Sequence, residues 1–356
     1  MNGLHSKLFE KNKIIQKINQ KGLIKGNIIM NIMLSDTYGR IMTKLRLSVT
    51  DECNYRCIFC MPTNPNFFKR EELLTVSEID RLVKLFSSMG INEVKLTGGE
   101  PLARKEILYI IQAVHTHVKT IGMTTNGYYL ASKLPELQKS GLSKLNISIH
   151  SLNENKYKKI TGGGNLKVAM KGINTAIDLG MNPIKVNMTV MRGVNDDEIL
   201  DFVDFGLKTG IIVRFLEYEP FNGREAWASS EFVSAKEILN KISAKYQLVG
   251  FPREPHSTST YYTVNGSGKI GIIPSVSAPF CEDCNRLRIT ADGKLVPCMY
   301  SHFEIDLKKP LEIGLDDDKI KEIIKSSVNG KFRGVIEYIE KNELPNFVRS
   351  MYKLGG

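Results

Sequence analysis

The feature that most constrains the fold of this chain is a repeating unit of a short apolar strand, a polar loop and an amphipathic helix. In the first strand Leu45, Leu47 and Val49 alternate with polar residues, as in a half-buried strand. Five further strands are predicted at Glu93 to Thr97, Thr120 to Thr124, Lys144 to Ile149, Ile184 to Val190, and Ile211 to Glu217. Strands that alternate with helices form parallel sheets, so six units predict an α/β fold, an open and partial form of the eightfold β/α barrel.

The helices between these strands have recognisable starts. Thr75 and Glu78 form a capping box, and apolar residues recur at helical spacing after them until Gly90 ends the helix. Further helices are predicted at Val168 to Leu179 and at Glu198 to Leu207. Each helix therefore has one apolar face to pack against the sheet.

Unusual polar residues follow the strands at their carboxyl ends. They are Cys53 to Cys60 after the first strand, Thr97 to Pro101 after the second, Thr124 to Gly127 after the third, Ser148 and His150 at the fourth, and Glu217 at the sixth. In barrels of this type the active site lies at the carboxyl ends of the strands. The shared position of these residues predicts a site there.

The pattern changes after about residue 222, which predicts three regions. Residues 1–35 are an extension, residues 36–222 are the partial barrel, and residues 223–356 are a smaller C-terminal domain. That domain is predicted to contain a helix near Ala235 to Tyr246 and a hairpin that turns at Asn265 to Gly268. A second hairpin turns at Asp292, and a charged helix follows near Asp317 to Val328.

Composition excludes several classes of protein. The six cysteines fall in two short groups, which is typical of metal binding in a reducing compartment and not of a disulfide framework. The chain has no apolar run of the roughly 20 residues that a membrane span needs, so we expect a cytoplasmic protein that binds no membrane. Its net charge of +11 is spread among acidic residues, and we expect no nucleic-acid partner.

The first cysteine group is Cys53, Cys57 and Cys60. Three thiolates at this spacing can bind three irons of a cubane iron-sulfur cluster, and no fourth cysteine lies nearby to bind the last iron. One iron is then open to a small ligand. A zinc site is the alternative, although zinc sites usually have four protein ligands.

The spacing of this group resembles the signature of radical S-adenosylmethionine enzymes, in which the open iron binds the amino and carboxylate groups of that cofactor. Directly after the second strand, the run Gly98 to Pro101 is similar to the GGEP motif that holds the methionine amino group in the same enzymes. Glycines allow the backbone to approach a ligand closely.

The second group, Cys281, Cys284 and Cys298, is again a triad without a fourth cysteine. A second open iron suggests direct ligation of the substrate, whereas a structural zinc site would normally be closed. Arg286 and Arg288 alternate on a strand beside it, so both side chains leave one face and can bind an anion such as a triphosphate. A plain surface strand is the alternative.

Both triads, Arg46 in its strand, the run Asn285 to Arg288 and the terminal Gly355-Gly356 closely resemble the GTP 3',8-cyclases of molybdenum cofactor biosynthesis. The resemblance extends from about Asp36 to the C-terminus. It implies two [4Fe-4S] clusters. The first reduces S-adenosylmethionine to methionine and a 5'-deoxyadenosyl radical, which takes the 3' hydrogen of GTP. The resulting carbon radical closes onto C8 of guanine, and the second cluster holds the guanine.

The resemblance also implies roles for single residues. Cofactor contacts are expected from Phe59, Gly99, Glu100, Ser148 and Glu219. Nucleotide contacts are expected from Arg46, Lys95, Thr124, Lys185, Arg286, Leu287 and Arg288. Arg286, Arg288, Gly355 and Gly356 are expected to assist the reaction, with the tail reaching the site. Two positions depart from the family pattern, because Lys95 stands where Arg is usual and Glu219 where Met is usual.

Two other functions remain open at this stage. A radical enzyme with an auxiliary cluster could modify a peptide, although no peptide-recognition domain is visible in the sequence. A non-enzymatic electron carrier or zinc-stabilised module would need closed cysteine sets. The resemblance implies GTP and an electron donor as partners, cyclic pyranopterin monophosphate synthase as the downstream enzyme, and an assembly compatible with a homodimer.

Overall fold

The computed structural model describes residues 33–62, 64–219, 230–341, 343 and 349–356. Its strands are Lys44–Ser48 (β1), Glu93–Thr97 (β2), Thr120–Thr125 (β3), Lys144–Ser148 (β4), Ile184–Val190 (β5), Ile212–Glu217 (β6), Leu248–Gly250 (β7), Thr260–Val264 (β8), Gly268–Ile273 (β9), Arg286–Ile289 (β10), Lys294–Val296 (β11) and Ile305–Asp306 (β12). Its α-helices are Val76–Ser88 (α1), Ile107–His115 (α2), Leu130–Lys139 (α3), Glu154–Thr161 (α4), Leu166–Asp178 (α5), Ile199–Thr209 (α6), Ala235–Ser243 (α7), Lys308–Glu312 (α8), Asp317–Asn329 (α9), Val335–Lys341 (α10) and Met351–Leu354 (α11).

The six predicted strands are present, and they lie side by side in chain order. β1 to β6 are all parallel, with helices between successive strands. The predicted α/β fold with a parallel β/α core is therefore confirmed. Because the strands are parallel, the polar residues at their carboxyl ends meet at one edge of the sheet.

The C-terminal strands do not form a sheet of their own. The whole sheet has twelve strands in the order β12-β11-β10-β1-β2-β3-β4-β5-β6-β9-β8-β7. β10 pairs in parallel with β1, and β9 pairs in parallel with β6, so eight parallel strands run together. The second cysteine group is thereby joined to the first strand of the core.

One of the predicted boundaries cannot be compared with the structure. The boundary near residue 222 lies outside the described residues, as do residues 1–32 of the predicted extension. From residue 33 onwards the chain already packs on the core, since Leu34 is 2 % exposed and its N–H donates to the Met89 carbonyl.

The first helix shows how local sequence fixes these elements. The Thr75 hydroxyl accepts a hydrogen bond from the Glu78 N–H at 3.2 Å, and the Glu78 carboxylate accepts one from the Thr75 N–H at 2.7 Å. This predicted capping box contributes about 1 kcal/mol to the helix. The apolar face of α1, including Ile79, Leu82 and Phe86, is buried in the core.

The apolar side chains of the sheet and helices form one large core. Met188 and Met191, interpreted from the sequence as space-filling residues, are both almost fully buried. Among the described helices, none has the length and apolarity that a membrane crossing requires.

Candidate active site

A cavity of about 310 Å³ lies at the carboxyl ends of the parallel strands and brings the predicted residues together. Both cysteine triads line it. Of the other predicted residues, its walls include Arg46, Phe59, Lys95, Gly99, Thr124, Ser148, Glu219, Arg286, Arg288 and Gly356. Residues more than 200 positions apart in sequence therefore share one chamber.

The loop of the first triad is held by backbone hydrogen bonds to the end of α4. The N–H groups of Arg56 and Ile58 donate to the carbonyls of Thr161 and Ile160, both at 2.9 Å. An Arg56 guanidinium nitrogen donates to the Cys53 carbonyl at 2.6 Å. These contacts fix the cysteine loop from outside the cavity.

The two glycines of the GGEP run pack directly on the same loop. A Cβ atom at Gly98 would lie 2.2 Å from the Thr50 carbonyl oxygen, and one at Gly99 would lie 2.4 Å from the Asp51 and Glu52 oxygens. The Gly99 N–H donates to the Thr50 carbonyl at 2.8 Å. Glycine is thus required for the approach of β2 to the cysteine loop, besides any contact with a ligand.

Glu100 is predicted from the resemblance as a cofactor contact. Its side chain is fully buried and is not part of the cavity wall, which leaves its backbone for such a contact. Its carboxylate accepts hydrogen bonds at 2.7 Å from the Thr125 hydroxyl and the Asn126 N–H, and at 3.0 Å from the Leu102 N–H. Burial raises the pKa of this carboxyl to about 7. Its observed role is to fix the loop after β3.

The first triad lies in an apolar setting. Burial raises the pKa of the Cys53 thiol to about 11 and of the Cys60 thiol to about 12. Bare thiols therefore stay protonated here, and deprotonation needs a bound metal, which removes the thiol proton outright.

The arrangement of the donors fits an iron-sulfur cluster. Among the described residues, no three His, Cys, Asp or Glu side chains are placed to share one metal ion. The thiols of a cubane cluster each bind a different iron. Each triad contributes three thiols to the cavity wall, and the chain has no further cysteine that could be a fourth ligand of either triad. Each set therefore fits a cluster with one open iron.

The second triad has a more positive surrounding. Burial alone would raise the pKa of the Cys284 thiol, but the charges of Lys331 and Arg286 outweigh it and lower the pKa to about 6. The buried Arg40 guanidinium donates to the Cys281 carbonyl at 2.9 Å and pairs with Asp36 at 2.6 Å. The segment before β1 therefore braces this triad.

The cations of the cavity lie close enough together to lower one another's pKa. Burial, followed by the charges of Arg288 and Arg286, lowers the pKa of Arg46, and burial followed by the charge of Arg46 lowers the pKa of Lys95. In the part of the chain that the structure describes, none of these four side chains forms an ion pair with a carboxylate. Buried charges are normally paired. Here the charges of Glu93 and Glu219 act on Lys95 and Arg288 without forming ion pairs with them.

The tail enters the cavity beside these cations. The Arg288 guanidinium donates to the Gly355 carbonyl at 2.6 Å, and the Thr97 hydroxyl donates to the Gly356 carbonyl at 2.9 Å. Gly355 has φ +79°, and a Cβ there would lie 2.9 Å from the Thr97 hydroxyl oxygen. The structure therefore places the tail at the cavity, where the sequence analysis expected it.

The two arginines predicted to share one strand face differ in burial. Arg288 is only 5 % exposed and is held by Gly355, which does not fit the alternative of a plain surface strand. Arg286 is half-buried, with its guanidinium over the Phe280 ring at 5.0 Å. Both side chains line the cavity, as their shared face predicts.

Two other predicted nucleotide contacts lie away from this cavity. The Leu287 side chain is fully buried in the core and is not part of the wall, which leaves only its backbone to meet a nucleotide. Lys185 lines a second cavity of about 540 Å³, where its ammonium lies 5.6 Å from the centre of the Tyr261 ring. The two cavities share Arg46, Lys95 and Arg286.

Glu219, which departs from the family pattern, forms a buried pair with Tyr300. The Tyr300 hydroxyl donates to the Glu219 carboxylate at 2.5 Å, and burial raises the pKa of this carboxyl. Close by, the His150 ring packs against Phe59 with ring centres 4.5 Å apart. Burial lowers the pKa of His150 to about 3, so the ring is neutral and accepts the Thr189 N–H at 3.1 Å.

Several side chains of the wall were not named from the sequence, among them Arg214 and Lys331. Asn126 belongs to the predicted polar run after the third strand, and its amide nitrogen lies 3.8 Å from the Cys53 sulfur. The Arg214 guanidinium donates to the Asn187 amide oxygen at 2.6 Å. Lys331 follows a charged helix and has no local sequence signal.

Two family models match the chain. A model described as the Radical SAM superfamily matches residues 47–206, and one described as Molybdenum Cofactor Synthesis C matches residues 211–335. The fold, the first triad and the first model together define a radical S-adenosylmethionine protein, a class that carries a [4Fe-4S] cluster and S-adenosylmethionine.

Full-length relatives define the family more narrowly. A protein named GTP 3',8-cyclase from Alkaliphilus oremlandii is 39 % identical over 91 % of this chain and 100 % of its own length. The mitochondrial GTP 3',8-cyclase of Arabidopsis thaliana is 38 % identical over 98 % of this chain and 89 % of its own. Human molybdenum cofactor biosynthesis protein 1 is 42 % identical over 84 % of this chain, which is 48 % of the human protein. This chain belongs to the GTP 3',8-cyclase family.

Solved structures support the fold. Streptococcus suis SuiB bound to its precursor peptide SuiA has a TM-score of 0.58 at 14 % identity, over 99 % of this chain and 82 % of SuiB. The same protein bound to S-adenosylmethionine has a TM-score of 0.55 at 14 % identity, over 89 % of this chain and 78 % of that one. At this identity the likeness concerns architecture alone.

Proposed function

We propose that this protein converts GTP to (8S)-3',8-cyclo-7,8-dihydroguanosine 5'-triphosphate, the first step of molybdenum cofactor biosynthesis. The observation that carries the proposal is the group of Arg46, Lys95, Arg286 and Arg288, cations without carboxylate partners among the described residues, in the same chamber as both cysteine triads. A triphosphate supplies the missing negative charge. The family membership of the chain supports the same substrate.

The first triad, Cys53, Cys57 and Cys60, would bind the cluster that reduces S-adenosylmethionine. When bound, that cluster and S-adenosylmethionine would supply the radical chemistry that removes the 3' hydrogen of GTP. Gly99 and Ser148 line the adjoining wall, and Phe59 offers an apolar ring there. These residues hold the cofactor and keep water from it.

The nucleotide would lie between the two triads. Arg46, Lys95 and Arg286 face both cavities, so a triphosphate placed among them can extend towards Lys185 at the amino ends of the strands. Guanidinium groups give charge-assisted hydrogen bonds to phosphate oxygens. Thr124 and the Leu287 backbone would complete the contacts, and the chemistry would then take place at the ribose.

The second triad, Cys281, Cys284 and Cys298, would bind a second [4Fe-4S] cluster with an open iron. The positive setting of Cys284 favours its thiolate form, as a metal ligand must be deprotonated. Arg286 and Arg288 line the same chamber as this triad. The second cluster would hold the guanine, and the two arginines would hold the phosphates.

Gly355 and Gly356 would act from the tail. Their carbonyl oxygens accept hydrogen bonds from Arg288 and Thr97. The tail therefore orients Arg288 in the chamber and narrows the space around the substrate. Arg288 serves both the tail and the nucleotide.

Glu219 is proposed as a contact of the cofactor side. Its carboxylate is already bound to Tyr300, so it acts as an acceptor fixed within the wall. We also propose an electron donor that reduces the first cluster, cyclic pyranopterin monophosphate synthase as the enzyme that consumes the product, a cytoplasmic location and a homodimer. Light scattering of the purified protein tests the last.

The experiment that tests the function is anaerobic incubation of the reconstituted protein with GTP, S-adenosylmethionine and dithionite. The expected products are 5'-deoxyadenosine and a nucleotide with the mass of GTP but a different chromatographic retention, because cyclisation loses one hydrogen and regains one. ATP in place of GTP should give neither product. If 5'-deoxyadenosine forms without any change in GTP, the substrate is wrong.

A further inference from the structure

A buried lysine joins the segments that carry the second cysteine group. Lys331 is 2 % exposed and lies just after α9. Its ammonium donates to the Arg286 carbonyl at 2.7 Å and to the Pro297 carbonyl at 2.5 Å, and it lies 3.8 Å from the Cys284 sulfur. One ammonium thereby links the strand start that follows Cys284 with the residue that precedes Cys298.

The charge of Lys331 has no carboxylate to balance it. Over the described ranges of the chain, its recorded interactions are the two carbonyls, the Cys284 sulfur and the wall of the chamber. A buried ammonium without a counter-charge is costly, and proteins pair such charges or place them beside a metal site. The group near this ammonium that can become anionic is the Cys284 thiol, 3.8 Å away, and the Pro297 carbonyl that it binds directly precedes Cys298.

The first cysteine group has a different neighbour. There the recorded hydrogen bonds to a cysteine sulfur come from two neutral groups, the Tyr55 N–H at 3.4 Å and the Asn126 amide at 3.8 Å, and both go to Cys53. The two cysteine groups thus differ in the charge of the groups that donate to their sulfurs. Hydrogen bonds and charges at the sulfurs are the means by which a protein tunes a cluster.

We propose that Lys331 is a positioning residue that supplies the counter-charge of the second cluster and fixes Arg286 beside it. The proposal rests on the proposed function, because it needs a second cluster and a nucleotide at this wall. Three thiolates and a cubane core leave a net negative charge, and one-electron reduction by an external reductant increases it. A fixed cation at this distance makes that reduction easier and holds the Arg286 backbone, so its guanidinium is aimed at the nucleotide.

The test uses Lys331→Met, which keeps a side chain of similar length without its charge. Lys325→Met is the matched control, because Lys325 is an exposed lysine on α9 of the same region. Both changes are made in protein whose first triad is replaced by Ala, so that only the second cluster is present. Iron and sulfide content, the reduction potential by EPR-monitored titration with dithionite, and GTP affinity are measured for each.

We expect Lys331→Met to shift the reduction potential of the second cluster to more negative values and to weaken GTP binding roughly tenfold, as expected for one lost charged contact. Lys325→Met should change neither quantity. An unchanged potential together with unchanged GTP affinity in Lys331→Met would overturn the proposal.

A variant that assembles too little cluster is also decisive. Lys331→Arg keeps the charge, so retention of the cluster with Arg but not with Met supports the counter-charge, and equal loss in both contradicts it. The failure of the proposed function has a separate outcome. In that case the parent protein with an intact Lys331 would lack the second cluster, about four irons per chain, or would not bind GTP.

Discussion

Among the four cations of the cavity, Arg288 is the one whose replacement by Ala tests the site most stringently. Its side chain is proposed to bind the nucleotide and also binds the tail. Its guanidinium lines the cavity and also donates to the Gly355 carbonyl at 2.6 Å. A charged hydrogen bond to a phosphate oxygen contributes about 1.5 to 3 kcal/mol, which is roughly ten- to hundredfold in GTP affinity. Leaving the Gly355 carbonyl without its partner costs about 1 to 3 kcal/mol more. This cost destabilises the position of the tail in the cavity.

Arg286→Ala is the matched comparison. Arg286 lines the same cavity, but the other recorded contacts of its side chain are a weak hydrogen bond to the His256 carbonyl at 3.3 Å and the Phe280 ring. We expect both variants to lose GTP affinity by a similar factor. Arg288→Ala should lose more product formation than affinity, because its tail is also released.

The assay combines GTP affinity by anaerobic calorimetry, yield of cyclised nucleotide, iron content and melting temperature. A double-mutant cycle adds deletion of Gly355 and Gly356. Residues that act through one contact are non-additive, so the deletion should cost less activity in Arg288→Ala than in the parent protein. Normal binding and cyclisation in both arginine variants, or activity lost only through unfolding or loss of iron, would refute the reasoning.

Three other predictions concern the cysteines, the tail and acid stability. Cys53→Ala should abolish 5'-deoxyadenosine formation and leave about half of the iron, which iron analysis and chromatography check; persistent 5'-deoxyadenosine contradicts the assignment. Deletion of Gly355 and Gly356 should spare iron content and melting temperature but stop formation of the cyclised nucleotide, and full activity would show a passive tail. The pKa of His150 is about 3 when folded and ordinarily about 6.5, so the unfolded chain binds more protons between these values and stability falls as pH drops below 6.5. From pH 7 to 5.5 the loss is about 1 kcal/mol, and denaturant unfolding should show a smaller loss in His150→Asn.

The sequence alone predicted most of the barrel core. Each strand from β1 to β6 is a short apolar run followed along the chain by an amphipathic helix, and both patterns are local. The outer strands were harder, because Lys44 of β1 pairs with Arg286 of β10 across more than 200 residues. Local periodicity holds no information on such a pairing. The pairing of the C-terminal strands with both ends of the sheet was therefore not predicted.

The parts of the site that lie in short motifs were predictable, and the parts that depend on contacts between distant segments were not. Cysteines at short spacing and a glycine pair after a strand report their chemistry directly, and the structure places them in one chamber. The inward carboxylate of Glu100, the burial of Arg288 and the position of Lys331 depend on contacts between distant segments. No spacing rule gives the direction of a side chain after a turn.

The central claim is that one chamber brings the cofactor to the 3' carbon of GTP, and an isotope tests it most directly. GTP carrying deuterium at the 3' position is incubated anaerobically with the reconstituted protein, S-adenosylmethionine and dithionite, and the 5'-deoxyadenosine is analysed by mass spectrometry. The account predicts 5'-deoxyadenosine that is one mass unit heavier, together with a cyclised nucleotide that has lost the deuterium. Unlabelled 5'-deoxyadenosine alongside a nucleotide that keeps its deuterium would contradict it.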